Sequence, residues 1–127
     1  EGVGILDLET VLVPQKTVLN RQAVDAETQI PLSGYEIHMG RTSGPDTERP
    51  MIHLDGRGDG AISSDGRVRG SYLHGLFASD RWRRHYLGGI GIDGSDLNYR
   101  EAVEHALDDL ADQLEQVIDP AIFDIRV

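Results

Sequence analysis

Gly70-Ser71-Tyr72-Leu73-His74-Gly75-Leu76-Phe77 sets a histidine at the end of an apolar stretch, ahead of a glycine and a helix start. A histidine at a strand end, just before a capped helix, sits where α/β enzymes hold the side chains that do chemistry. Imidazole gains and loses its proton near neutral pH, which suits it to moving protons. The residues alone allow two readings of His74: a catalytic acid/base, or a structural histidine bonded in place. Neither of the usual nucleophiles is on hand for it to serve. The chain contains no cysteine, and it lacks the Gly-x-Ser-x-Gly elbow that exposes a catalytic serine.

Upstream of this stretch, residues 61–64 and 68–73 flank Asp65-Gly66, a favoured tight-turn pair, and predict a hairpin. The short apolar run Met51-Ile52-His53-Leu54 leads into Asp55-Gly56-Arg57-Gly58-Asp59-Gly60, which reads as too glycine-rich for regular structure. Residues 41–50 have the composition of a solvated loop. Residues 28–40 predict a strand with Tyr35, Ile37 and Met39 on one face and Glu36 and His38 on the other. Residues 4–13 predict a first strand ended by Pro14, which has no N–H to give a ladder. A second β-rich stretch at 16–19 and a polar interval follow it.

Downstream, Ser79 or Asp80 caps a short helix over 81–87 that Gly88-Gly89 stops. Asn98 followed three residues later by Glu101 resembles a capping box and opens a helix to about residue 118, halted by Asp119-Pro120. Val103, Leu107, Leu110, Leu114 and Val117 fall at steps of three and four and form one apolar stripe. Glu104, Asp108, Asp109, Asp112 and Glu115 occupy the rest of that helix, as a solvated face does. Strands come first and helices last, without internal repeats, in one unit spanning residues 1–127.

With 127 residues, one domain can form a core without metal or disulfide staples. The formal charge of −10 argues against a general nucleic-acid or anionic-membrane binder, since both need a positive field. No apolar run approaches the ~20 residues of a membrane helix. The opening residues carry no basic start followed by an apolar stretch, so a cytoplasmic location is expected. Gly89-Ile90-Gly91-Ile92-Asp93-Gly94 has the letters of a dinucleotide turn, but a helix precedes it where a strand is required. A calcium loop over 55–66 is opposed by Arg57 at a ligand position and Gly66 where the late acid belongs. The Arg57-Gly58-Asp59 triplet reads as chance, and the five histidines lack zinc-ligand spacing. No metal is expected in this chain.

Three ordered motifs closely resemble the cobyric acid synthase family: Gly34-Tyr35-Glu36-Ile37-His38-Met39-Gly40-Arg41-Thr42, then Asp65-Gly66-Arg67-Val68, then Gly70-Ser71-Tyr72-Leu73-His74-Gly75-Leu76-Phe77. The opening Glu1-Gly2-Val3-Gly4-Ile5-Leu6-Asp7 and the late Ala106-Leu107-Asp108-Asp109-Leu110-Ala111 resemble it too, so nearly the whole chain is covered. The cobyrinic acid diamide synthases share Tyr-Glu-Ile-His but read differently around His74, and rank second. The alternative from another class is a binding or scaffold module that kept the fold and lost catalysis.

The resemblance implies an α/β class I glutamine amidotransferase (flavodoxin-like) fold, here its β-rich second half followed by C-terminal helices. It implies a ligase of cobalamin (vitamin B12) biosynthesis that amidates corrinoid side-chain carboxylates with ammonia from glutamine. L-glutamine and adenosylcobyrinic acid a,c-diamide are then the parent's substrates. ATP and magnesium belong to an N-terminal domain outside this chain, which itself carries no cofactor. In that family a cysteine attacks the carboxamide and a histidine moves the proton; the histidine maps onto His74. The cysteine's elbow is expected before residue 1, so the isolated chain is expected to be inactive. Leu76 stands where full-triad amidotransferases carry a glutamate, which fits the cysteine–histidine dyad branch and leaves open what orients His74. Tyr35, Glu36 and His38 lie in the family's other motif and are the candidates for substrate contact. Strands that normally meet the missing half are expected to have open edges and apolar faces, and hence to make the isolated chain self-associate.

Overall fold

A computed structural model describes residues 2–94 and 96–119. Glu1 and Pro120, both used in the sequence reading, lie outside the described residues. The chain divides into two units, Glu1–Gly94 and Ser95–Val127.

The first unit is built on a five-stranded antiparallel sheet. In chain order its strands are β1 (Glu9–Asp25), β2 (Pro31–Ser43), β3 (Ile52–Leu54), β4 (Arg57–Asp59) and β7 (Leu73–His74), with β5 (Ala61–Ile62) and β6 (Arg69–Gly70) forming a separate two-stranded ladder. The order across the main sheet is β4-β3-β1-β2-β7. A 3-10 turn (Leu76–Ala78) and helix α1 (Asp80–Gly89) follow β7.

Four expectations about the strands are corrected. Pro14 does not end the first strand, because the β1–β2 register shifts between Leu12, opposite Gly40, and Thr17, opposite His38. Residues in such a bulge are excused from the ladder, so a proline without an N–H is accommodated. The polar interval after residue 19 is mostly strand, with Ala23 opposite Leu32 on one side and Leu54 on the other. Its reversal into β2 is tied by Asp25, whose Oδ1 accepts from the Thr28 hydroxyl and from the Glu27 and Thr28 amides. The glycine-rich stretch is regular as well. Asp55 and Gly56 both take positive φ, 48° and 80°, as the tightest hairpin turns require, so β3 and β4 pair Ile52 with Asp59 and Leu54 with Arg57. At the far end of β2, Arg41, Thr42 and Ser43 extend the strand into the expected loop, and Pro45–Glu48 form a 3-10 turn.

The core lies on one face of the sheet: Ala23, Leu32, Ile52, Leu54 and Leu73 meet Ile30, Met51 and Trp82 from α1. Trp82 stacks on Tyr86 and meets the edge of Phe77, and its indole N–H donates to Asp25 Oδ2 at 2.8 Å. The other face is left open, with Val18, Tyr35 and Met39 about half exposed.

The hairpin over Asp65-Gly66 forms as expected, in the short pairing of β5 with β6. Both helix starts are also where the caps predict. Ser79 Oγ accepts from the Trp82 amide at the start of α1. In the second unit, Asn98 Oδ1 accepts from the Glu101 amide at the start of α2 (Tyr99–Val117). The stripe of Val103, Leu107, Leu110, Leu114 and Val117 on α2 is exposed. The molecule is a mixed sheet-and-helix fold with its strands first and its helices last.

Candidate active site

His74 is the last residue of β7, exposed at the strand-to-helix junction. Strand β7 pairs with β2 at only two positions, Leu73 with Glu36 and His74 with Tyr35, so contacts beyond the ladder must fix it. The Ile37 amide donates to Tyr72 O at 3.2 Å. The Tyr72 amide and the Ser71 hydroxyl both donate to Asp59 Oδ2, at 3.2 and 2.9 Å. The Leu73 amide in turn donates to Ser71 Oγ at 2.9 Å.

Two glycines shape the passage of the chain through His74. A Cβ on Gly34 would lie 2.0 Å from the His74 carbonyl oxygen, so only glycine lets β2 approach β7 this closely. Gly75, at φ 94°, takes the left-handed conformation that glycine adopts without steric penalty. The Ala78 amide donates back to Gly75 O, and the chain enters α1 through Ser79.

Residues directly opposite on neighbouring strands share a face. Tyr35 therefore stands beside His74, over a groove of about 370 Å³ lined by Gln22, Ser33, Gly34, Tyr35 and Gly75. Glu36 shares the buried face with Leu73, and His38 follows it there. The four candidates from the sequence thus separate into two pairs on opposite faces of β2. Among the described residues no side chain hydrogen-bonds the His74 ring. Leu76, two residues on, has no carboxylate to offer it.

The buried face carries a charged network. Glu36 is 6% exposed; its Oε2 accepts from Arg21 Nε at 2.7 Å and its Oε1 from His38 Nε2 at 3.1 Å. Burial pushes the Glu36 carboxyl up, but these two hydrogen bonds and the attraction of Arg21 and His38 outweigh it and hold it below the usual carboxylate range. Arg21 also reaches Asp55 at 2.7 Å. His38 Nδ1 donates to Gly40 O at 2.9 Å, and the ring stacks on Tyr72 with centroids 4.4 Å apart. The Tyr72 hydroxyl bonds Thr42 Oγ1, which bonds Thr10 Oγ1. This network borders a concavity of about 520 Å³ that also takes in Leu6, Arg57 and Asp59.

Sequence patterns do not point to Arg21, Ser71 or Tyr72, and they weigh Asp59 only within a calcium loop and an Arg-Gly-Asp triplet. Ser71 and Tyr72 lie inside the motif that carries His74, but Arg21 lies in the polar interval and Asp59 in the stretch that reads as too glycine-rich for regular structure. Their roles come from pairing across 12 to 34 residues, which no local pattern reveals. Among the described residues no three metal-ligating side chains gather, and no helix is long and apolar enough to cross a membrane.

Comparison with known proteins gives a consistent set of matches. A model of the CobB/CobQ-like glutamine amidotransferase domain matches residues 1–82. A cobyric acid synthase of Brucella canis is 53% identical over 119 residues, 94% of this chain and 25% of that protein. A cobyric acid synthase of Allorhizobium ampelinum is 52% identical over 124 residues, 98% of this chain and 26% of that protein. The chain spans about a quarter of the length of the curated relatives it matches. No solved structure matches it.

Proposed function

This chain belongs to the CobB/CobQ-like glutamine amidotransferase domain family, and from that membership we propose that it is the histidine-bearing part of the glutaminase domain of a cobyric acid synthase. The whole protein amidates corrinoid side-chain carboxylates in cobalamin biosynthesis, taking L-glutamine and adenosylcobyrinic acid a,c-diamide in the cytoplasm. The relatives' shared name and their identity along nearly all of this chain support that reading. As the resemblance implies, ATP and magnesium are assigned to the part of the longer protein outside these residues. Within the class I, flavodoxin-like arrangement, residues 1–127 form the second half of the domain.

The observation that carries the proposal is His74, an exposed imidazole at the end of β7 on the uncovered face of the sheet. With no cysteine in these residues, the thiol comes from a segment outside them and approaches His74 from that open face. Val18, Tyr35 and Met39 supply exposed apolar surface there. His74 takes the thiol proton as sulfur attacks the glutamine carboxamide carbon, then passes it to the departing ammonia. It next draws a proton from the water that cleaves the thioester to glutamate. Tyr35 stands beside the histidine and contacts the substrate, whereas Glu36 and His38 serve from beneath the sheet.

Ammonium release from glutamine by the full-length protein tests this role. His74→Ala is expected to lower it by about 100-fold or more, the usual scale of acid–base catalysis, and the 127-residue chain alone should release none. Release by His74→Ala at the unmodified rate would assign His74 a structural role.

A further inference from the structure

Asp59 and Ser71 meet just before the strand that delivers His74. Asp59 ends β4, where its backbone oxygen accepts from the Met51 amide at 3.0 Å and its pairing with Ile52 ties it to a fully buried core residue. Its carboxylate reaches across to the Ser71 hydroxyl and the Tyr72 amide, and the same Ser71 oxygen receives the Leu73 amide. The backbones also touch at this place. A Cβ on Gly60 would lie 2.0 Å from the Gly70 carbonyl oxygen, so the β3–β4 hairpin lies directly against the segment entering β7. Three hydrogen bonds on successive residues thus fix residues 71–73, whereas the ladder to β2 supplies two pairs.

We propose that Asp59 and Ser71 form a splint that positions His74 for glutaminase chemistry. This rests on the reading of His74 as the proton carrier. Neither side chain touches glutamine; both act through the backbone of residues 72 and 73, which fixes the depth and direction of the imidazole. Proton transfer is sensitive to such placement, because a displacement of about 1 Å can cost on the order of 100-fold in rate. The carboxylate suits the task, since its Oδ2 accepts two hydrogen bonds at once.

The test uses the full-length protein and compares glutamine-driven with ammonia-driven amidation. Asp59→Ala is expected to lower kcat with glutamine by about tenfold or more, with KM for glutamine and the ammonia-driven rate changed by less than about twofold. Asp59→Asn keeps an acceptor oxygen and is expected to restore most of the glutamine-driven rate. Ser71→Ala is expected to act in the same direction and Ser71→Thr to rescue it, which keeps the test open if Asp59→Ala does not fold. An unchanged kcat with glutamine in Asp59→Ala or Ser71→Ala overturns the proposal, as does a parallel fall with ammonia, which marks a merely structural role. His74→Ala is measured alongside. If it loses glutamine-driven activity while the splint variants keep theirs, only the splint fails; if it keeps that activity, the reading of His74 fails and the splint with it.

Discussion

Asp25 gathers four donors: Trp82 Nε1, the Thr28 hydroxyl, and the amides of Glu27 and Thr28. Burial pushes its carboxyl up, but these hydrogen bonds prevail and hold it below the usual carboxylate range. A carboxyl depressed in the folded state stabilises the fold above its unfolded pKa, roughly 3.9, and loses that contribution as pH falls through the folded value. Stability followed by chemical denaturation should therefore drop below about pH 4. Asp25→Ala should cost about 2–4 kcal/mol at neutral pH, because it strands a buried indole N–H and three further donors. The same variant should lose less on acidification than the unmodified chain. An acid limb of equal steepness in both would mean that Asp25 has no part in it.

At the scale of elements, what was legible in the sequence follows from how local each signal is. The α1 and α2 starts were readable because a cap and its recipient amide lie three residues apart. The stripe on α2 was readable because helical spacing repeats within a few residues. The bounds of β1 were not, because what keeps Asn20-Arg21-Gln22 in the sheet is β2, while β3 pairs only with Ala23, Val24 and Asp25. Pro14 misled for the same reason: a bulge depends on the partner strand, which the proline itself does not announce. His74 was legible as a strand-end histidine, and Tyr35 as part of a motif; that they stand side by side, with Glu36 and His38 behind them, depends on register. The α1 cap can be tested directly. Ser79→Ala should destabilise the chain by about 1 kcal/mol, read from the denaturation midpoint at unchanged slope, and a shift below about 0.2 kcal/mol would make the Ser79 contact incidental.

The first unit is a sheet with its core on one face. Val18, Tyr35 and Met39 stand half exposed on the opposite face, and large open apolar surfaces mark places of association. In the longer protein, the proposed occupant is the segment that brings the cysteine. By itself, the 127-residue chain should cover this face with a second copy, since twofold pairing is the commonest closed arrangement. The charge of −10 opposes general aggregation without preventing one specific contact. Light scattering at tens of micromolar should give the mass of a dimer, and substituting Val18 and Met39 with lysine should return a monomer. A monomer from the unmodified chain would show that this face does not drive association.

In the proposed function, His74 carries the proton that releases ammonia from glutamine and takes no part in using it. The most direct measurement is the ratio of glutamine-driven to ammonia-driven corrinoid amidation by the full-length protein, before and after His74→Ala. The ratio is expected to fall by about 100-fold or more while the ammonia-driven rate stays within about twofold of the unmodified protein. An unchanged ratio, or an equal loss with both nitrogen sources, would contradict it.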